Sequence, residues 1–113
     1  MKTALFAFQG DLMCFIHVLL NAKDLRSRGH EAVIVMEGAA CKLVPELAKP
    51  GPLHAMYKEA KEQGHFAGAC KACSSKLGVL DAVKAEGLTL LEDMSGHPSM
   101  AAYLEQGYQI ITF

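Results

Sequence analysis

Short apolar segments alternate along the chain with stretches in which apolar residues recur at helical spacing. Residues 3–8 and Glu31–Met36 are almost wholly apolar, as is typical of parallel strands that are covered on both faces. Between them, apolar residues recur every three or four positions, which predicts a helix that Asp11 caps and that ends near Gly29. This part of the chain is therefore predicted to form strand, helix and strand.

The same alternation continues to the end of the chain. Three more strands are predicted at 66–70, 88–92 and 108–113. The predicted helices cover 40–48, a segment from Leu53 to about Gly64, 75–86, and the segment between Pro98 and Gly107. Strands that alternate with helices predict one domain over residues 1–113. Its predicted fold is a three-layer α/β/α sandwich around a five-stranded parallel sheet with right-handed crossovers.

The four cysteines follow or flank the carboxyl ends of predicted strands. Ligands of such sheets bind beyond these ends, which lie here at 9–11, 37–41, 70–73 and 93–97. Cys14, Cys41, Cys70 and Cys73 all lie near this edge. Whether they approach one another depends on the strand order, which the sequence leaves open.

Composition and charge exclude several classes of function. The chain is 51% hydrophobic and 20% charged, with a net charge of −1, which is a globular balance. The sequence contains no cluster of Lys and Arg of the kind that binds nucleic acids, and no segment that resembles an export signal or a membrane span. We therefore expect a cytoplasmic protein, whose thiols stay reduced and are free or bound as ligands.

The C-x-x-C pair, Cys70 and Cys73, is the strongest chemical signal. A thiolate is both a nucleophile and a metal ligand. The pair precedes a helix predicted from Ser75, and the dipole of that helix and nearby Lys71 and Lys76 favour an anion there. Two buried, unreactive cysteines are the structural alternative.

A metal site is the main chemical alternative. C-x-x-C forms half of many zinc sites, and the missing ligands are predicted to be Cys14 and Cys41, or His97. An iron–sulfur cluster on the same thiols is a further alternative. His97 is otherwise predicted to cap the last helix, or to act as an acid or base.

The segment C-x-x-C-x-x-x-x-G-V, from Cys70 to Val79, resembles the DsrE/DsrF-like family of small α/β proteins. Further matching features are Gly-His-Glu at 29–31, leading into the second strand, and the closing GYQIITF. The resemblance implies a five-stranded parallel sheet and a homo-oligomer, either a trimer or a hexamer. It also implies that Cys70 matches the persulfide-carrying cysteine of sulfur-relay members, while Cys73 matches the second thiol of some branches.

The expected function is that of a sulfurtransferase-type persulfide acceptor and carrier, with Cys70 central and Cys73 assisting. A sulfur donor or acceptor protein is the partner that the resemblance implies. Two alternatives remain. The first is a metal or iron–sulfur binding module built on Cys70 and Cys73, with Cys14 and Cys41 as the candidate further ligands. The second is an interaction subunit with no chemistry of its own.

Overall fold

A computed structural model describes residues 1–113, and its sheet has five parallel strands. The strands are β1 (Lys2–Ala7), β2 (Glu31–Met36), β3 (Phe66–Cys70), β4 (Leu90–Leu91) and β5 (Tyr108–Thr112). Their order across the sheet is β4-β3-β2-β1-β5, and every neighbouring pair is parallel. The predicted α/β fold with five parallel strands is confirmed.

Six α-helices and one 3-10 helix connect the strands. They are α1 (Leu12–Ser27), the 3-10 helix (Gly38–Leu43), α2 (Val44–Leu47), α3 (His54–Glu62), α4 (Lys71–Lys76), α5 (Leu80–Ala85) and α6 (Met100–Glu105). The chain moves in one direction from β1 to β4, then returns across the sheet to place β5 beside β1. Because parallel crossovers are right-handed, this reversal places α6 on the opposite face from the other helices. None of the helices has both the length and the apolarity to cross a membrane.

Alternating side chains of the strands build two cores of unequal size. Leu5, Ile34 and Ala69 belong to the larger core, together with buried residues of α1, α3 and α5. Phe6 and Val35 point to the other face, where they belong to a small core against which α6 packs. Strand side chains are therefore buried on both faces of the sheet, which explains why the strand sequences are almost continuously apolar.

The helix predicted over 75–86 is two helices, and the first begins earlier than expected. Helix α4 starts directly after Cys70 and ends at Lys76, and the φ of +73° at Gly78 prevents the helix from continuing. Helix α5 then begins at Leu80. Cys73 consequently lies inside the first turn of α4, and the prediction that both cysteines precede the helix was wrong.

Gly68 fixes the path of β3 next to β4. It has φ of +152°, and the pairing of β3 with β2 shifts register beside it. A Cβ atom at this position would overlap the carbonyl oxygen of Thr89. That carbonyl accepts a hydrogen bond of 2.8 Å from the N–H of Ala69. The glycine thus permits the close approach of the chain that leads into β4.

Candidate thiol, imidazole and carboxylate site

Three adjacent strands bring four chemically active side chains to one edge of the sheet. Glu37 follows β2, Cys70 ends β3, and the segment after β4 carries His97. Because β2, β3 and β4 are neighbouring parallel strands, their carboxyl ends lie side by side. One ligand atom from each of Glu37, Cys70, Cys73 and His97 lies within 4.8 Å of all the others.

The first turn of α4 orients the two thiols. Cys70 is the N-cap, and its Sγ atom accepts a hydrogen bond of 3.4 Å from the backbone N–H of Cys73. The hydroxyl of Ser74 donates to the carbonyl oxygen of Cys70 at 2.7 Å. The C-x-x-C spacing therefore serves a local purpose, because the second cysteine supplies the N–H group that holds the first thiol.

A tight turn over residues 94–97 positions the imidazole. Ser95 and Gly96 have φ of 49° and 90°, so both central residues have the positive φ of a two-residue hairpin turn. Met94 and His97 close the turn with backbone hydrogen bonds of 2.7 and 2.9 Å. The carbonyl oxygen of Gly96 accepts a hydrogen bond of 2.9 Å from the N–H of Ala72. This last bond ties the turn to α4 and so holds His97 beside the thiols.

His97 contacts both cysteines through one ring nitrogen. Its Nδ1 atom lies 3.1 Å from Sγ of Cys70 and 3.8 Å from Sγ of Cys73. A thiol can donate to Nδ1 when the ring proton is on Nε2. Helix α6 is capped by Ser99, whose hydroxyl accepts from the N–H of Ala102, so the prediction that His97 caps this helix was wrong.

Burial dominates the electrostatics of the site. It raises the pKa of the Cys70 thiol to about 12, and the neighbouring Cys73 and Cys41 thiols contribute to the rise. The pKa of Cys41 is raised to about 11, again mainly by burial. Burial also raises the pKa of Glu37, although the nearby His97 opposes the effect. At neutral pH, Cys70 and Cys41 are therefore neutral thiols.

The two cysteines of the pair differ in their access to solvent. Cys70 is 0% exposed, whereas Cys73 is only partly buried. Cys73 lines an open, mainly apolar groove on the surface, which Gly38, Ala39, Lys76 and Leu77 complete. A molecule that reaches this groove meets Cys73 first.

The structure assembles only part of the predicted set of thiols. It brings Cys70 and Cys73 together with His97, which was one of the two predicted choices for the missing ligands. Cys14 lies in the first turn of α1 and is not a member of the cluster. Cys41 is fully buried, and its thiol donates to the carbonyl oxygen of Met36 at 3.5 Å. Sequence reasoning did not single out Glu37, although its place directly after the apolar run EAVIVM marked it as an edge residue.

The fold and this cluster define a small α/β/α protein with a thiol, imidazole and carboxylate site. The chain is 33% identical over 118 residues to the uncharacterized protein MJ0733 of Methanocaldococcus jannaschii, and the match covers 98% of this chain and 94% of that protein. The chain therefore belongs to the family of this archaeal protein.

A second relative is a shorter uncharacterized protein of Archaeoglobus fulgidus. It is 35% identical over 57 residues, which are 50% of this chain and 93% of the relative. No family model matches the chain. No solved structure matches it significantly. The names of the relatives state no activity, so the site itself is the starting point for a functional assignment.

Proposed function

We propose that this protein is a DsrE-like, cytoplasmic sulfur-handling protein that accepts a persulfide sulfur on its C-x-x-C thiols and passes it on. The observation that carries the proposal is the position of His97 Nδ1, 3.1 Å from Sγ of Cys70 and 3.8 Å from Sγ of Cys73. An imidazole next to a thiol can take its proton and so generate the nucleophilic thiolate. The resemblance of the segment from Cys70 to Val79 to the DsrE/DsrF-like family supports the same chemistry.

The exposure of the two thiols favours Cys73 as the one that receives sulfur. Cys70 was the expected acceptor, but it is 0% exposed and a donor molecule has no direct access to it. Cys73 lines the surface groove, where the Lys76 side chain offers a positive charge to a persulfide anion. We therefore assign acceptance to Cys73 and a second, internal role to Cys70.

The transfer needs no cofactor. His97 takes the proton of Cys73, and the thiolate attacks the outer sulfur of a donor persulfide, R–S–SH. The S–S bond of the donor breaks, R–S⁻ leaves and takes a proton, and Cys73 carries the new S–SH group. An acceptor thiol, R′–SH, then attacks the outer sulfur in the same way, which yields R′–S–SH and restores the Cys73 thiol.

Cys70 offers a second fate for the bound sulfur. Its thiolate can attack Sγ of the Cys73 persulfide and displace hydrosulfide, which leaves as H₂S after taking a proton. The product is a Cys70–Cys73 disulfide, which a cellular dithiol must reduce before the next cycle. The raised pKa of Cys70 keeps this thiol protonated at neutral pH, which slows the release and favours transfer to an acceptor.

The proposal includes a homo-oligomer, a trimer or a hexamer, as the family resemblance implies. Two exposed apolar residues support it, because Leu104 of α6 and Ile111 of β5 are 58% and 46% exposed. Light scattering over a dilution series measures the molar mass directly. A monomer at every concentration would remove this part of the proposal.

The sulfur-accepting step can be tested with reduced, metal-free protein and glutathione persulfide under anaerobic conditions. Intact-mass spectrometry then counts the sulfur atoms that each chain has gained. We expect one labile sulfur on the wild-type chain, none on Cys73→Ser, and a longer-lived one on Cys70→Ser. The matched control is Cys14→Ser, which removes a thiol outside the cluster and should behave like wild type. Undiminished uptake by Cys73→Ser would contradict the assignment of that residue.

A further inference from the structure

We propose that Glu37, Cys70, Cys73 and His97 bind one Zn²⁺ ion. The four side chains offer two sulfur donors, one nitrogen and one carboxylate oxygen, all of which are zinc ligands in proteins. This set differs from the one predicted with Cys14 and Cys41, because only Cys70 and Cys73 are common to both. It goes beyond the sulfur-transfer proposal and does not depend on it.

The distances in the cluster suit a tetrahedral ion. In a tetrahedral zinc site, neighbouring donor atoms are about 3.3–3.8 Å apart, as follows from Zn–N and Zn–S bonds of about 2.0–2.3 Å. The contacts of His97 Nδ1 with Cys70 and Cys73, at 3.1 and 3.8 Å, already lie close to this range. No two donor atoms are more than 4.8 Å apart. Side-chain rotations that move these atoms by about 1 Å therefore bring all four to the spacing of a tetrahedral zinc site.

The surrounding backbone provides the outer interactions that orient metal ligands. The N–H of Cys73 donates to Sγ of Cys70, and the Gly96 carbonyl ties the His97 turn to α4. Such outer contacts fix ligand orientation and typically change metal affinity about 10–100-fold. Cys41 is not a ligand, because its thiol points to the carbonyl oxygen of Met36.

The donor groups of the cluster are also those that a cation ionises and holds. Two thiols and a carboxyl group converge here, and no Lys or Arg side chain is hydrogen-bonded to any of them. Ionising both thiols in this buried place without an added cation would be unfavourable. A divalent cation supplies that charge, displaces the thiol protons to solvent and holds both sulfurs as thiolates. Bound zinc would therefore protect the pair and block sulfur uptake until it leaves.

Cobalt substitution tests the site without reference to sulfur transfer. Reduced, metal-stripped protein is titrated with Co²⁺, and the visible absorption of thiolate-bound tetrahedral Co²⁺ is followed before Zn²⁺ is added to displace it. We expect one equivalent to bind to wild type and to the control Cys14→Ser. Cys73→Ser, which leaves Cys70 as the single thiolate ligand, should bind Co²⁺ more weakly and show a smaller thiolate absorption, and Glu37→Gln should bind Zn²⁺ about tenfold or more weakly.

Two results would overturn the zinc site: a wild-type protein without thiolate-bound Co²⁺ absorption, and a Glu37→Gln protein with wild-type affinity. Circular dichroism of the metal-free variants checks that each is folded. If Glu37→Gln does not fold, X-ray absorption at the zinc edge of the wild-type complex decides instead. Two sulfur and two lighter ligands are expected, and any other sulfur count contradicts the site. Sulfur uptake is measured on metal-free protein, so the two proposals can fail independently.

Discussion

The Sγ atom of Cys70 lies 3.1 Å from Nδ1 of His97, although 27 positions separate the two residues in the sequence. The contact exists because β3 and β4 are neighbours and because the turn at 94–97 is hydrogen-bonded to the first turn of α4. The chemistry of the thiols therefore depends on a loop that contains no cysteine. This dependence can be tested by changing the loop and leaving every reactive group in place.

We expect Gly96→Ala to impair the site more than the fold. Gly96 has φ of +90°, and an added Cβ atom would lie 3.2 Å from Cβ of Ala72, so the turn must move away from α4. His97 moves with it, and both sulfur uptake and Co²⁺ affinity should fall. The positive φ itself costs about 1–2 kcal/mol for a residue other than glycine, which thermal unfolding measures.

Gly107→Ala is the matched control for this experiment. Gly107 has nearly the same φ, +89°, but an added Cβ atom there has no neighbour within 4 Å. We expect a similar loss of stability and an intact site. Equal sulfur uptake by the two variants would show that the turn does not position His97.

The four thiols should divide into two reactivity classes. Cys14 and Cys73 are partly exposed, whereas Cys41 and Cys70 are both 0% exposed. Burial also raises the pKa of Cys41 to about 11 and that of Cys70 to about 12, so few thiolates form at these positions at pH 8. Timed iodoacetamide labelling of reduced, metal-free protein, followed by peptide mapping, measures the four rates. Labelling of Cys70 as fast as Cys14 would contradict the buried position of its sulfur.

Glu86 should stabilise the fold in a manner that depends on pH. Its carboxylate accepts hydrogen bonds from the Tyr57 hydroxyl at 2.7 Å and from the Lys61 ammonium at 2.9 Å. The lysine contact and then the tyrosine contact hold the pKa of Glu86 below its ordinary value. The stabilisation is therefore complete above the unfolded pKa of about 4.3 and is lost as the pH falls towards the lower folded pKa.

Glu86→Gln tests this dependence because it removes the charge and keeps an acceptor for Tyr57. At pH 7, we expect the free energy of unfolding to fall by about 1.5–3 kcal/mol, the usual range for hydrogen bonds to a charged group. Urea unfolding at pH 7 and at about pH 3 measures the difference between wild type and variant. A difference that does not shrink at the lower pH would contradict the lowered pKa of Glu86.

His65 should make stability depend on pH in a separate, higher range. Its side chain is 4% exposed and Nδ1 has no hydrogen-bond partner, and burial is the main cause of its lowered pKa. The folded state thus holds neutral histidine, so this contribution is complete above the unfolded pKa and declines as the pH falls below about 6.5. The decline is at most about 1.4 kcal/mol per pH unit. His65→Phe should remove it, and parallel stability curves for both proteins between pH 7.5 and 5.5 would contradict this account.

The strands and the first helix could be predicted because local patterns determine them. β2 and β3 have the predicted bounds, and Asp11 caps α1 by accepting from the N–H of Met13 at 2.9 Å. The break at Gly78 was not predicted, because the apolar positions continue through it and the glycine is compatible with either result. The short strand β4 was overestimated, since only Leu90 and Leu91 pair with β3.

The members of the site could be predicted only in part, because strand order decides which sheet-edge residues meet. The C-x-x-C pair is visible in the sequence, and the order β4-β3-β2 then selects His97 and Glu37 as its neighbours. The same order leaves Cys14 outside the cluster, on the helix that follows β1. The unequal exposure of Cys70 and Cys73 arises from packing, which spacing alone does not reveal.

The most direct test of sulfur handling is native mass spectrometry of protein purified without oxygen, reductant or added metal. We expect chains that carry one additional sulfur atom, removable by dithiothreitol and located by peptide mapping on Cys73. Zinc-bound chains without labile sulfur are the second population expected from the same preparation. Protein that carries no labile sulfur, and still gains none after incubation with glutathione persulfide, would contradict the central proposal.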